Sequence, residues 1–258
     1  MPEGDTIHYA ANRIRPLLVG GVPQEIVMPQ ARHLQDRWAQ RLAGRAVRAV
    51  EAHGKHLLIR FEGELVVHSH LRMSGAWGVY RPGERWKRGA HRAWLVMRAG
   101  GAEIVQFDGP VLELMTEGRA RFDQRLAGLG EDLLGEQFDA GRVLRRLRED
   151  DPTRAFGDAL LDQRTVAGIG NVWKAELCFA AGVDPWRATG TVSDEQVLGI
   201  LELGREQMGR CAREGFRVRP RAVYKRAGMP CVRCAGRVQV RGQGEDNRLT
   251  FWCAGCQT

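Results

Sequence analysis

The sequence predicts an α+β multidomain protein: an N-terminal β-sandwich with a leading helix, a helical domain, and a C-terminal β-hairpin built around a metal. Three observations predict it. Apolar residues recur at helical spacing at the start of the chain, alternate in short runs cut by glycine turns up to about residue 118, then return to helical spacing from about residue 131 to 215. Glycines and charges cluster at the junction, from Gly118 to Gly130. Four of the six cysteines lie in the last 33 residues, from Arg226 onward. The expected domains are therefore residues 1–118, 119–225 and 226–258.

The leading helix rests on Ile7, Ala10, Ala11, Ile14 and Leu17, with Thr6 as its candidate cap and Gly20-Gly21 as its stop. A second short helix is expected around Leu34 to Leu42. The period then changes to two. Arg45 to Val50, His56 to Phe61, Leu65 to His68, Gly75 to Tyr80, Arg92 to Met97 and Ala102 to Phe107 are the candidate strands. In the helical region, Leu160 to Phe179 is apolar at roughly helical spacing and is broken by Gly168-Ile169-Gly170. Two glycines there allow a sharp turn and a close backbone approach. A helix starting at Asn171 would aim unpaired N–H groups outward as a phosphate site; two core helices joined by a glycine turn is the other reading.

The cysteine-rich end is more specific. Cys231-Val-Arg-Cys234 and Cys253-Ala-Gly-Cys256 are two C-x2-C pairs with 18 residues between them. Each pair presents two thiolates from one tight knuckle, and two knuckles complete the tetrahedral sulfur set that Zn2+ prefers. Four thiolates leave no open coordination position, so one structural zinc ion is expected, in a zinc-finger β-hairpin. The intervening Arg237 to Arg241 and Leu249 to Trp252 read as its strands. Arg237, Arg241 and Arg248 suit phosphate contact. Cys178 and Cys211 read as core thiols.

The charge is +8, from 39 Lys and Arg against 31 Asp and Glu. Such a balance points to an acidic partner, nucleic acid first, or serves solubility alone. The longest apolar runs are strand-sized, and the Met-Pro-Glu-Gly-Asp start lacks the apolar stretch of a secretory signal. A cytoplasmic, reducing location and no membrane contact are expected, which favours metal ligands over disulfides.

Methionine before proline is normally removed, which leaves Pro2 with a secondary amine. α-Amino groups titrate near pH 8, so a useful fraction is neutral and nucleophilic. Glu3 beside it has the chemistry of a general acid or base.

Several stretches now fit together. Pro2-Glu3-Gly4-Asp5-Thr6, Gly54-Lys55-His56-Leu57-Leu58, His70-Leu71-Arg72-Met73-Ser74-Gly75, the Gly168 to Asn171 turn and the terminal Trp252-Cys253 to Cys256-Gln257 stand in one order along nearly the whole chain. In that order they resemble the formamidopyrimidine-DNA glycosylase / endonuclease VIII family. The resemblance implies a β-sandwich and a helix–two-turns–helix domain, with damaged DNA as partner. It implies a base-excision DNA glycosylase and abasic-site lyase, acting through a Schiff base at Pro2 with Glu3 as proton donor. Lys55 would contact phosphate and aid β-elimination. Arg248, in Asn247-Arg248-Leu249-Thr250-Phe251, would grip the flanking phosphates and assist δ-elimination. Asn171 would contact phosphate from the turn. Met73, with Leu71 or Arg72 near it, lies in the family's wedge loop, which fills the gap left by a flipped nucleotide; a core methionine is the other reading. His91, in Arg88-Gly-Ala-His91, resembles a DNA-contacting histidine and equally suits a solvated loop. A monomer is expected, nucleoid-associated if bacterial. A non-catalytic binder of damaged or structured DNA on the same scaffold is the alternative.

The chain also departs from the family. Many members carry a glutamate where Thr6 stands, and Asp5 is the candidate substitute. The Pro-Glu-Gly start resembles the endonuclease VIII branch. Phe107-Asp-Gly-Pro110-Val-Leu lacks the arginines with which the purine-specific branch holds the opposite cytosine, and the connection from Gly215 to Met229 is short. Oxidised pyrimidines are the expected substrates.

Overall fold

Leu57, Ile59 and Phe61 alternate with Leu58 along one strand, and the two faces of that strand enter two different hydrophobic clusters. In a computed structural model, which describes residues 1–31 and 36–258, the chain divides into two units. The first holds residues 1–2 and 6–127, the second residues 3–5 and 128–258. The division thus falls after Ala127, and the C-terminal hairpin belongs to the second unit.

The first unit opens on α1 (Gly4–Leu18), whose first two residues are counted with the second unit, β1 (Glu25–Val27) and α2 (Trp38–Leu42). Seven strands follow: β2 (Val47–His53), β3 (His56–Phe61), β4 (Leu65–His70), β5 (Ala76–Tyr80), β6 (Ala93–Ala99), β7 (Ala102–Phe107) and β8 (Val111–Thr116). Two short helices, α3 (Glu117–Phe122) and α4 (Gln124–Ala127), close the unit. The strands form two four-stranded sheets, β2-β3-β4-β8 and β1-β6-β7-β5. Both sheets feed one core: Leu57, Ile59, Phe61 and Val67 from the first meet Leu95, Met97 and Ile104 from the second. Ile7, Ala11, Ile14 and Leu18 complete it from one stripe of α1. The expected sandwich with its leading helix is therefore present. Two strands escape the sequence pattern, β1 and β8, and α1 begins at Gly4 rather than after Thr6. Of the second expected helix, Trp38–Leu42 is helical, while its first residues, Leu34 and Gln35, lie outside the described residues.

The second unit contains β9 (Glu131–Asp132), α5 (Ala140–Glu149), α6 (Phe156–Ala159), β10 (Val166–Ala167), α7 (Asn171–Ala181) and α8 (Asp194–Glu214). Helix α7 is buried along most of its length and ends on Gly182 at φ 71, a left-handed stop. Helix α8 starts on a capping box between Ser193 and Gln196. Phe156, Trp173, Leu177, Ile200 and Leu201 join the helices in one core. The antiparallel hairpin β11 (Gln239–Gln243) and β12 (Arg248–Trp252) packs on α7 through Val238, Phe251, Ala175 and Phe179. Among the described residues no helix is long and apolar enough to cross a membrane.

Candidate active site and cysteine cluster

The second unit explains the Gly168-Ile169-Gly170 turn. Glu3 is fully buried. Its Oε1 accepts the Val172 N–H at 2.8 Å, and its Oε2 accepts those of Gly170 and Trp173, each at 3.1 Å. A β-carbon on Gly170 would lie 2.4 Å from the Glu3 carboxyl carbon. Gly4 donates its N–H to the Gly168 carbonyl at 2.9 Å, and a β-carbon on Gly4 would meet Gly168 Cα at 2.8 Å. The glycines therefore make room for the protein's own first residues. This corrects the expectation that the first N–H groups of α7 point outward to phosphate: the carboxylate of Glu3 already holds them at the positive end of the helix.

Asp5 is also committed. It is fully buried, and Arg219 grips it with Nε to Oδ2 at 3.0 Å and Nη2 to Oδ1 at 2.5 Å. The Arg219 guanidinium lies over the rings of Trp173 and Phe216. Asp5 is thus a structural ion-pair partner, and the expectation that it substitutes for a carboxylate at position 6 fails on that pairing. A second buried carboxylate, Glu176, accepts the N–H groups of Ala222, Val223 and Tyr224 at 2.8, 3.1 and 2.8 Å. The short connection after α8 is pinned by these two acids. Sequence reading missed both Arg219 and Glu176, because their partners lie 214 and 46 or more residues away along the chain.

Asn171 opens α7, is buried, and donates from Nδ2 to the Leu249 carbonyl of β12 at 2.8 Å. Three residues on, the fully buried Lys174 donates from Nζ to Thr250 Oγ1 at 2.5 Å and to Gln243 Oε1 at 3.3 Å. Burial pushes its ammonium down to about 8. Two polar contacts from α7 thereby fix the hairpin that carries Arg248. That arginine is exposed at the base of β12 and is paired with Asp246 at 3.0 Å. Arg241 lies 3.8 Å over the Trp186 ring, and Arg237 donates to the Gly228 carbonyl.

The four cysteines Cys231, Cys234, Cys253 and Cys256 come together, with all sulfurs within 4.8 Å of one another. The Cys231–Cys256 and Cys234–Cys253 sulfur separations are 3.7 and 3.5 Å. Four sulfurs at about 2.3 Å from one zinc ion would stand about 3.8 Å apart, so the set fits a tetrahedral metal. Cys178 is a buried core thiol, pushed up to about 12 by burial.

In the first unit, Lys55 sits on the two-residue turn between β2 and β3, with Gly54 before it at φ 56. A glycine at the first position lets so short a turn match the strand twist. Behind the turn, three histidines share one face of β3 and β4. His56 pairs across the strands with His70, their rings edge to face at 4.7 Å, and His56 Nδ1 lies 2.8 Å from His68 Nε2. His70 Nδ1 accepts the Arg72 N–H at 3.1 Å. That bond leaves Nε2 as its donor. Burial, with Arg72 and Lys55 nearby, lowers its pKa to about 4, so it is a neutral hydrogen-bond donor beside the Lys55 turn. The His68-Ser69-His70 alternation was the signal for this cluster.

The 71–75 turn sorts its own residues. Leu71 is buried at 1%, whereas Met73 is 66% exposed. Met73 is therefore not a core residue, and Leu71 is no wedge. Arg72 occupies the turn at φ 47. His91 lies exposed in the helical turn Ala90–Arg92.

The chain matches two family models, the formamidopyrimidine-DNA glycosylase N-terminal domain over residues 1–110 and the formamidopyrimidine-DNA glycosylase H2TH domain over residues 129–214. It is 43% identical to a probable endonuclease 8 2 of Streptomyces coelicolor, covering 100% of this chain and 94% of that one. It is 36% identical to the DNA-(apurinic or apyrimidinic site) lyase Nei2 of Mycolicibacterium smegmatis, over 100% and 99%. Its fold resembles Lactococcus lactis formamidopyrimidine-DNA glycosylase, solved with DNA containing an abasic site, at TM-score 0.80 and 21% identity over 99% of each chain. With its buried Glu3, its Gly168 to Asn171 turn and its four-cysteine hairpin, this chain belongs to the formamidopyrimidine-DNA glycosylase / endonuclease VIII family, on its endonuclease VIII-like side.

Proposed function

We propose that this protein is a base-excision repair enzyme: a DNA glycosylase that removes oxidised bases, pyrimidines above all, and cleaves the resulting abasic site as a lyase. The anchoring of the chain start carries the reading. Chain ends usually fray. Here the three residues after Pro2 are held by three bonds to the Glu3 carboxylate, by the Gly4–Gly168 bond and by the Asp5–Arg219 pair. An ordered start suits a nucleophile that must be placed within bonding distance of a sugar carbon.

In the proposed reaction the neutral Pro2 amine attacks C1′ of the flipped nucleotide. The C1′–N bond breaks and the base leaves with a proton. The nitrogen loses its proton, the C1′–O4′ bond of the sugar ring opens with a proton taken up at O4′, and the amine and C1′ share an iminium, which acidifies the C2′ hydrogen. Loss of that proton expels the 3′ phosphate by β-elimination, with δ-elimination of the 5′ phosphate as the further step, and water releases Pro2. Lys55, His70, Asn171 and Arg248 would hold the phosphates, Lys55 and Arg248 as cations and His70 as a neutral donor. Glu3 accepts three N–H bonds, which occupy its two carboxylate oxygens. Its part in proton delivery to the base requires those bonds to rearrange. Met73 and Arg72 would enter the stack where the nucleotide was, with His91 on the backbone nearby. Cys231, Cys234, Cys253 and Cys256 would hold one zinc ion, which when bound fixes the hairpin. The protein would act as a monomer on damaged DNA in the cytoplasm.

Borohydride reduction on DNA carrying an abasic site or thymine glycol tests the reading. The expected result is a covalent protein–DNA adduct through the N-terminal residue, located by mass spectrometry. Tight binding with no adduct would overturn it in favour of a non-catalytic damage binder.

A further inference from the structure

The 71–75 turn is held by more than its own backbone. Gly75 donates its N–H to the Leu71 carbonyl at 2.9 Å, which closes the turn, and the buried Leu71 roots it in the core. A second loop then braces the tip. Arg88 Nη1 donates to the Ser74 carbonyl at 2.6 Å and to Asp108 Oδ2 at 2.8 Å. Arg92 Nη2 reaches the same Asp108 oxygen at 2.7 Å. Ser74 Oγ donates to the Asp108 carbonyl at 3.3 Å, and the Asp108 N–H donates to the Arg92 carbonyl at 3.1 Å.

Asp108 sits at the centre of this network at φ 46, a left-handed conformation that costs a non-glycine residue about 1 kcal/mol. In the 71–75 turn, Arg72 at φ 47 carries the same kind of strain. Local strain of this sort persists only where surrounding bonds over-determine it. Burial works against ionisation of Asp108, but hydrogen bonds and charge from Arg92 and Arg88 outweigh it and hold the carboxyl below its usual range. The result is an exposed, flexible methionine on a rigid mount.

We infer that Asp108, gripped by Arg88 and Arg92, is a positioning residue that holds the Arg72–Met73 tip as a preformed wedge, and that it thereby sets how well the enzyme works on duplex rather than unpaired DNA. The inference rests on the proposed wedge role of Met73. A wedge matters only where a stack must be opened; a single strand has no partner stack to fill. The mount also uses the loop that follows β7. Asp108 spends its carboxylate inward, and Gly109, Pro110, Val111 and Leu112 offer no side-chain donor to an opposite base.

The experiment measures the rate of covalent trapping on one abasic oligonucleotide, alone and in duplex, for the wild type, Met73→Ala, Asp108→Asn and Arg88→Gln. Stopped-flow fluorescence of 2-aminopurine opposite the abasic site reports entry of the wedge directly. All three variants are expected to lower the duplex-to-single-strand ratio about tenfold and to slow the 2-aminopurine signal. If Met73→Ala moves neither readout, the wedge reading itself fails. If Met73→Ala moves both but Asp108→Asn and Arg88→Gln move neither, the wedge stands and the brace is overturned. Equal loss on both DNA forms in the brace variants, with an unaltered 2-aminopurine signal, also overturns it. Arg88→Gln keeps the test alive if Asp108→Asn does not fold.

Discussion

At Glu3, two demands meet on one carboxylate. The group is buried and accepts three backbone N–H bonds that anchor the N-terminal segment, yet the proposed chemistry also asks for a proton at the departing base. Glu3→Gln separates these demands. The amide keeps one acceptor oxygen but turns an N–H2 toward the remaining donors, so the N-terminal anchor weakens by about 2 kcal/mol. Excision of an intact damaged base should fall by at least about a hundredfold, the lower range for a lost acid–base group. Trapping on a preformed abasic site, where no base must leave, should persist. Equal loss of both activities in a single-turnover assay would mean that Glu3 serves only as an anchor. Asp5 and Arg219 pose a simpler question, because their pairing is fully structural. Arg219→Met leaves the Asp5 carboxylate buried without its cation and should cost about 3–5 kcal/mol. Urea unfolding measures it, and a cost near zero would show that Asp5 finds water or another donor.

The elements divide between those that local pattern reveals and those fixed by distant partners. Strands β3, β4, β6 and β7 were legible because each is a short, nearly continuous apolar run and the turns that join β3 to β4 and β6 to β7 carry glycine. The cysteine hairpin was legible because metal ligand spacing is a local property. Strand β8 was not: Val111 to Thr116 follows Gly109-Pro110, and Glu113 interrupts its apolar residues. The Gly168-Ile-Gly170 turn was visible as a turn but misread in purpose, since its occupant is Glu3, 167 residues away. Metal ligation in the hairpin is a prediction at this scale. Strong chelation should release one zinc ion per chain, disorder β11 and β12, and weaken binding to abasic DNA, because Asn171 and Lys174 lose the strand they hold. A chelated sample that binds normally would contradict the role. The histidine face of β3 and β4 gives a second. His56 is depressed to about 2 and His70 to about 4, in both cases chiefly by burial, and His68 is lowered for the same reason. These groups stay neutral in the fold but protonate in the unfolded chain below about pH 6.5. Their contribution is therefore whole above pH 6.5 and is lost as pH falls toward 4, by about 1.4 kcal/mol per pH unit for each histidine. His56→Phe should flatten the pH dependence of calorimetric stability by about that amount. An unchanged slope would show that His56 titrates normally.

For the molecule as a whole, the count of 39 Lys and Arg overstates what DNA can use. Many arginines are spent inside the protein. Arg154 gathers Asp150, Asp158 and Asp162, Arg125 pairs with Glu113 and Asp123, Arg148 with Asp194, and Arg219 with Asp5. The proposed phosphate contacts reduce to two cations, Lys55 and Arg248, while His70 and Asn171 act as neutral donors that displace no counterion. Binding to abasic duplex should then weaken with salt at a slope of about 2 in log Kd against log concentration, since each neutralised phosphate contributes about 0.9. Arg248→Ala should lower that slope by about 1, whereas Asn171→Ala should weaken binding at every salt concentration without altering the slope. Titration by fluorescence anisotropy from low to high salt decides the matter. A wild-type slope near 8 would mean that the whole surface charge drives association. A slope unmoved by Arg248→Ala would remove that arginine from the phosphate contacts and leave the hairpin a purely structural module.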